Sequence, residues 1–141
     1  MRKEPFMKTV LRVDSIAAAG TTRGTTSNLE DATSLTLTGR ATYHGSATVG
    51  VTVRVYYSPD GRNYDTVPYT EFVIDLTAGS TIQETHLLDV PKKGYFTYAV
   101  YNGEQSEAVT NVELWATIGF DELAIRDSRS LLGAELSPQG D

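Results

Sequence analysis

Few groups in this chain could exchange protons, hold a metal or attack a substrate. There are two histidines, His44 and His86, and no cysteine. The histidines fall on separate strand patterns, and neither has a motif partner. A Ser-His-Asp site is recognised by geometry rather than chain order, but no glycine-flanked nucleophile elbow is present. The paired acids Glu30-Asp31 and Asp121-Glu122 sit in polar connections as solvated charge, whereas a glycosidase needs two acids facing across a cleft. Asp60-Gly61-Arg62-Asn63-Tyr64-Asp65 gathers three oxygen ligands in a tight loop. It lacks the frame and closing glutamate of an EF-hand, and turn chemistry already explains Asp60 and Gly61. Gly45, Gly50, Gly61, Gly79, Gly94 and Gly103 are dispersed among the connections, so no phosphate-cradling loop forms. These observations predict no catalytic residue, no cofactor, no metal and no enzyme.

The aromatic residues are the stronger lead. Tyr56, Tyr64, Tyr69 and Trp115 lie out of phase with the apolar strand positions or in the connection after a strand. Outward Tyr and Trp can anchor a protein interface or stack on a sugar ring. They are the candidate interface or ligand-stacking residues.

The elements that must position them alternate with a period of two. In Val49–Tyr57, Val49, Val51, Val53, Val55 and Tyr57 share one face and Gly50, Thr52, Arg54 and Tyr56 the other, which buries one face of a strand. Ser34–Tyr43 sets Leu35, Leu37, Ala41 and Tyr43 against Thr36, Thr38, Arg40 and Thr42. Thr70–Leu76 sets Phe72, Ile74 and Leu76 against Glu71, Val73 and Asp75. Ile82–Val90 is less regular, with Glu84 and His86 between Ile82 and Leu88. Tyr95–Asn102 is apolar on both faces, as a central strand would be. Glu107–Ile118 and Thr9–Ala17 complete the set. Ser58-Pro59-Asp60-Gly61, Ala78-Gly79-Ser80, Pro91-Lys92-Lys93-Gly94 and Asn102-Gly103 supply the turns. About seven to eight short strands with no helical period predict an all-β, antiparallel β-sandwich, jelly-roll or Ig-like, with extended terminal arms.

Two segments fall outside the alternation. Gly20–Asp31, rich in Thr, Ser and Gly, reads as a polar loop or arm within a sandwich domain spanning 1–119. Residues 120–141 read as a C-terminal arm or short amphipathic helix, whose Leu123, Ile125, Leu131 and Leu132 need a surface to lie on. They are the candidate assembly arm.

At 141 residues one domain is expected, large enough to need no disulfide. The net charge of −6 opposes nucleic-acid binding, which requires a basic face. No run approaches the length of a membrane span. The basic opening Met1–Lys8 is followed by Arg12 and Asp14 rather than an apolar core, so no standard export signal is expected.

Val51–Thr66, with its Val-Arg-Val-Tyr-Tyr-Ser-Pro-Asp-Gly core, resembles a hairpin of β-sandwich structural proteins from tailed-phage virions. The similarity continues at Gly94–Gly119, where Tyr95–Asn102 precedes Ala108-Val109-Thr110-Asn111-Val112, so it covers about half the chain. The resemblance implies a virion location and a capsid-decoration, head-fibre or tail component whose partners are its own copies and other virion proteins. The same hairpin occurs in carbohydrate-binding and adhesion sandwiches. The alternative expectation is therefore an extracellular module that binds a glycan.

Overall fold

The computed structural model describes residues 4–120. They form eight strands: β1 Phe6–Ile16, β2 Thr21–Asn28, β3 Ser34–Thr42, β4 Val51–Ser58, β5 Thr70–Val73, β6 Thr81–Leu88, β7 Tyr95–Asn102 and β8 Val109–Gly119. One sheet has the order β1-β8-β3-β6 and the other β2-β7-β4-β5. All pairings are antiparallel. The pairs β1–β8, β2–β7, β3–β6 and β4–β5 describe one long ribbon folded at the β4–β5 connection and wrapped on itself. That is the jelly roll, which settles the choice against the Ig-like order.

The core lies where the period-two faces meet. Val51, Val53 and Val55 of β4, Phe96, Tyr98 and Val100 of β7, and Leu35 and Leu37 of β3 are fully buried. So are Val112, Leu114 and Ala116 of β8. Burial of each large aliphatic side chain contributes about 1.5–3 kcal/mol. At Gly39, a Cβ would stand 2.9 Å from Ile74 Cδ1 and 3.2 Å from Leu114 Cδ2. The missing side chain of β3 is therefore the space that Ile74 fills.

Buried polar groups tie the strand ends together. Asn102 Nδ2 donates to the carbonyls of Ile16, Ala17 and Glu107 at 3.1, 3.3 and 2.9 Å. Its Oδ1 accepts from the Glu104 amide. The Glu104 carboxylate in turn accepts from the amides of Thr48 and Val49. The Tyr43 hydroxyl donates to the Ile74 carbonyl at 2.5 Å and accepts from the Val51 amide at 3.0 Å.

Four details differ from the expectations of the sequence. Gly20–Asp31 is neither loop nor arm over most of its length: Thr21–Asn28 is an edge strand paired with β7. Its inward positions are polar because Ser27 is buried against the Tyr98 hydroxyl, 2.8 Å away. Val49 precedes β4 and is exposed, and Leu76 lies beyond β5. Asn102-Gly103 is not a tight turn; Asn102 is a buried pin, and residues 103–108 form the connection. The C-terminal segment with Leu123, Ile125, Leu131 and Leu132 lies outside the described residues, and β8 ends at Gly119.

Candidate interaction surfaces

The outward aromatic residues do not converge. Tyr56 points outward from β4, on the face of the β2-β7-β4-β5 sheet away from the core. Trp115 points outward from β8, on the opposite side of the sandwich. Each has an arginine over its ring. Arg23 of β2 lies 5.8 Å from the Tyr56 centroid, and Arg40 of β3 lies 4.9 Å from that of Trp115. A third pair repeats the arrangement on β4 and β7, with Arg54 over Tyr101 at 5.2 Å. Arg40 is fixed further by Glu113 at 3.0 Å, and Arg54 by Glu71 at 3.4 Å. These cation–π contacts occupy the ring faces that a sugar would need.

Tyr64 and Tyr69 fall in the β4–β5 connection. Tyr64 is half-buried, and its hydroxyl is enclosed with no hydrogen bond of ordinary geometry. Burial pushes its pKa up, aided by Tyr95 and Asp60, with the Thr26 side chain acting in the other direction. Tyr69 is 42% exposed and rests on Phe96, centroids 5.0 Å apart. Of the four candidates, Tyr69 is the exposed one.

The Asp60 loop uses its carboxylate internally. Asp60 Oδ1 accepts from the amides of Arg62 and Asn63 at 2.8 and 2.9 Å and from the Ser58 hydroxyl, while Oδ2 accepts from Asn63 Nδ2 at 2.7 Å. These donors, the Asn63 amide first, hold the carboxyl well below the usual carboxylate range. The two histidines are also placed apart. His44 lies 3.4 Å from Glu107, and His86 pairs with Glu84 at 2.5 Å while stacking on Phe72, centroids 3.9 Å apart.

One shallow hollow of about 260 Å³ opens on the outer face of the β1-β8-β3-β6 sheet. The β3–β8 register shifts there between Arg40 and Thr42, and Asn111 takes a φ of 51°. Arg12, Arg40, Glu113 and Asn111 line it.

The apolar surface gathers elsewhere. β5 and β6 are edge strands of opposite sheets, joined at one flank by the Phe72–His86 stack. On or beside them are Val67, Tyr69, Val73, Leu76 and Leu87, with Val67 72% and Leu87 74% exposed. Tyr69 and Leu87 share a hollow of about 320 Å³ with Thr70, Leu88 and Asp89. The alternation of Ile82–Val90 does not reveal this surface, because it tracks Ile82, Leu88 and Val90 and passes over Leu87. Two adjacent leucines in a strand cannot both face inward, and that is the signal the sequence offers.

No protein-family model matches the chain. No curated protein matches it. Among solved structures, it is similar to VP2 of an infectious bursal disease virus subviral particle, with a TM-score of 0.52 and 15% identity. That match covers 82% of this chain and 33% of VP2, so the chain spans about a third of VP2. A structure of the Bacillus endospore appendages, described as disulfide-linked pili, gives a TM-score of 0.46 and 16% identity over 86% of this chain and 93% of that one. The C-terminal CBM6 of LamC, a laminarinase of Zobellia galactanivorans, gives 0.48 and 11% identity over 79% and 90%. At these identities the VP2 likeness is one of fold: an eight-stranded jelly roll.

Proposed function

We propose that this domain is a non-enzymatic structural subunit of a virion or a comparable multimeric assembly, as capsid decoration, head fibre or tail component. It acts by packing against its own copies and against other virion proteins. The observation that supports this reading is the β5/β6 flank. Large apolar side chains concentrate there, with Val67, Val73 and Leu87 at least half exposed. An apolar surface at an open sheet edge marks an interaction site. A jelly roll in a viral particle protein is compatible with it.

A carbohydrate-binding module is the second reading. A sugar stacking on Trp115 or Tyr56 would have to move Arg40 or Arg23 first, which leaves the exposed Tyr69 as its platform. Light scattering on the eluting protein, with negative-stain microscopy of the same fractions, separates the two. Discrete multi-subunit particles are the expected result. A monomer at every concentration that is retained on a glycan matrix overturns the assembly reading.

A further inference from the structure

The β6 edge has a property that goes beyond general stickiness: its residues are complementary to themselves. Tyr43 N donates to Ser80 O at 3.0 Å, and the β3–β6 register runs without a shift from Thr42↔Thr81 to Leu35↔Leu88. In an antiparallel ladder the hydrogen-bonded positions alternate. Ile82, Glu84, His86 and Leu88 therefore direct their backbone groups to β3. Thr81, Gln83, Thr85 and Leu87 direct theirs to the free edge. β6 has no other strand partner among the described residues.

We infer that β6 pairs with β6 of a second copy, antiparallel about a two-fold axis through Thr85, fusing two four-stranded sheets into one. This rests on the assembly reading above and names its first contact. Residues directly opposite in an antiparallel pair share a face, so a self-pair must be centred on one residue. Centring on Glu84 sets two carboxylates against each other. Centring on His86 sets Glu84 against Leu88. Centring on Thr85 sets Glu84 of each copy opposite His86 of the other, twice. It also sets Ile82 opposite Leu88 on the inner face, and Gln83 opposite Leu87 on the outer one. The edge-facing amides and carbonyls of Gln83, Thr85 and Leu87 then meet those of Leu87, Thr85 and Gln83. An isologous contact of this kind closes on itself. It also turns the two β5 flanks, with Val67, Tyr69 and Val73, toward each other.

The cysteine-free chain makes the register directly testable. A hydrogen-bonded antiparallel pair holds its Cα atoms about 5.5 Å apart, within disulfide reach. Full-length Thr85→Cys, mildly oxidised, should double in mass on a non-reducing gel, and reductant should reverse the doubling. Gln83→Cys and Leu87→Cys should each stay single alone and cross-link when mixed. Light scattering on the same samples reports assembly. Particles that form without the Thr85 cross-link, or with a Gln83 self-link, overturn the register and leave the assembly reading standing. A Thr85→Cys protein that is monomeric throughout overturns both.

Discussion

On the β1/β2 flank both edge strands carry a bulge, β1 between Thr9 and Leu11 and β2 between Arg23 and Thr26. The two edges are stitched together: Lys8 Nζ reaches Thr26 O at 3.4 Å, and Thr25 Oγ1 reaches Val10 O at 3.3 Å. Gly24 lies so close that a Cβ there would collide with the Val10 carbonyl oxygen. On the β5/β6 flank, β5 stops after four residues, and β6 runs eight residues with no shift, no proline and no lysine. Glu84, the one acidic residue of β6, points inward and is engaged by the Asp75 amide and His86.

Bulges, lysines, very short strands and inward charges are how proteins keep sheet edges from pairing. The β1/β2 flank uses two of these devices and covers one edge with the other. The β5/β6 flank shortens β5 and turns Glu84 inward, yet it leaves β6 as one long edge with no bulge and no lysine, beside apolar side chains. The difference teaches that one fold can protect one side and present the other, with the bulges deciding which.

The largest expected effect abolishes both flanks at once. Val53 of β4 is fully buried, and Val53→Asp would place an unpaired carboxylate there. The cost of several kcal/mol is comparable with the whole stability of a domain, so the circular dichroism of a folded sheet should be lost. Thr52→Asp, on the other face of the same strand, should leave a folded protein. Equal damage from both would show that the outer face is as buried as the inner one.

Next in size is a change that loosens the closed flank alone. Asn102 Nδ2 meets three carbonyls, two of them, Ile16 and Ala17, where β1 turns toward β2. Asn102→Asp swaps the donor for a charged acceptor and should cost more than about 3 kcal/mol in urea unfolding. Amide exchange should quicken on β1 and β2 before β6. Uniform quickening would mean that the flanks are not separable units.

Most of the core is legible in the sequence, because a buried sheet face imposes its period directly. Val51, Val53 and Val55, and Leu35 and Leu37, are inward as their alternation predicts, and β7 is central as its two-sided apolarity implies. β2 is not legible. Its strand bonds are made by backbone, and its one buried inward side chain is a serine, so no apolar alternation marks it. Asn102 shows the same limit: a turn-forming residue and a buried amide pin look alike until the carbonyls it meets are known. The outward phase of Tyr56 and Trp115 follows from the sequence. The arginines that cover them come from β2 and β3, and contacts of that range depend on strand order, which local pattern does not encode. Strand order also decides which strand is an edge, so the Leu87-Leu88 pair marks an outward leucine without revealing that β6 is an open edge.

A smaller effect concerns how β2 is held. The Tyr98 hydroxyl is bonded to Ser27, and burial pushes its pKa up to about 12 from 10.0. The folded state thus keeps a proton that the unfolded chain releases between those values. This contribution is fully present below pH 10 and is lost as pH rises from 10 to 12, about 3 kcal/mol in all. Tyr98→Phe should flatten that decline in a pH series of urea midpoints, while leaving Ser27 unpaired. A decline of unchanged slope would assign it to other tyrosines.

The smallest change in stability should give the sharpest view of the two flanks. Register places Met7, Thr117, Thr36 and Leu87 in one row across the outer face of the β1-β8-β3-β6 sheet. Met7 ends that row on the closed flank and Leu87 on the open one, at 67% and 74% exposure. Neither side chain contributes much to the monomer's core, so Met7→Lys and Leu87→Lys should each shift unfolding by less than about 0.5 kcal/mol. Assembly should respond to only one of them. A lysine at position 87 puts a charge beside the free backbone groups of β6, and a charge at an edge is costly to desolvate when a second strand arrives. Light scattering should therefore show Leu87→Lys reduced to smaller species while Met7→Lys keeps the parent mass. If Met7→Lys dissociates the particles and Leu87→Lys does not, the bulged flank is the one that assembles, and the two edges exchange roles.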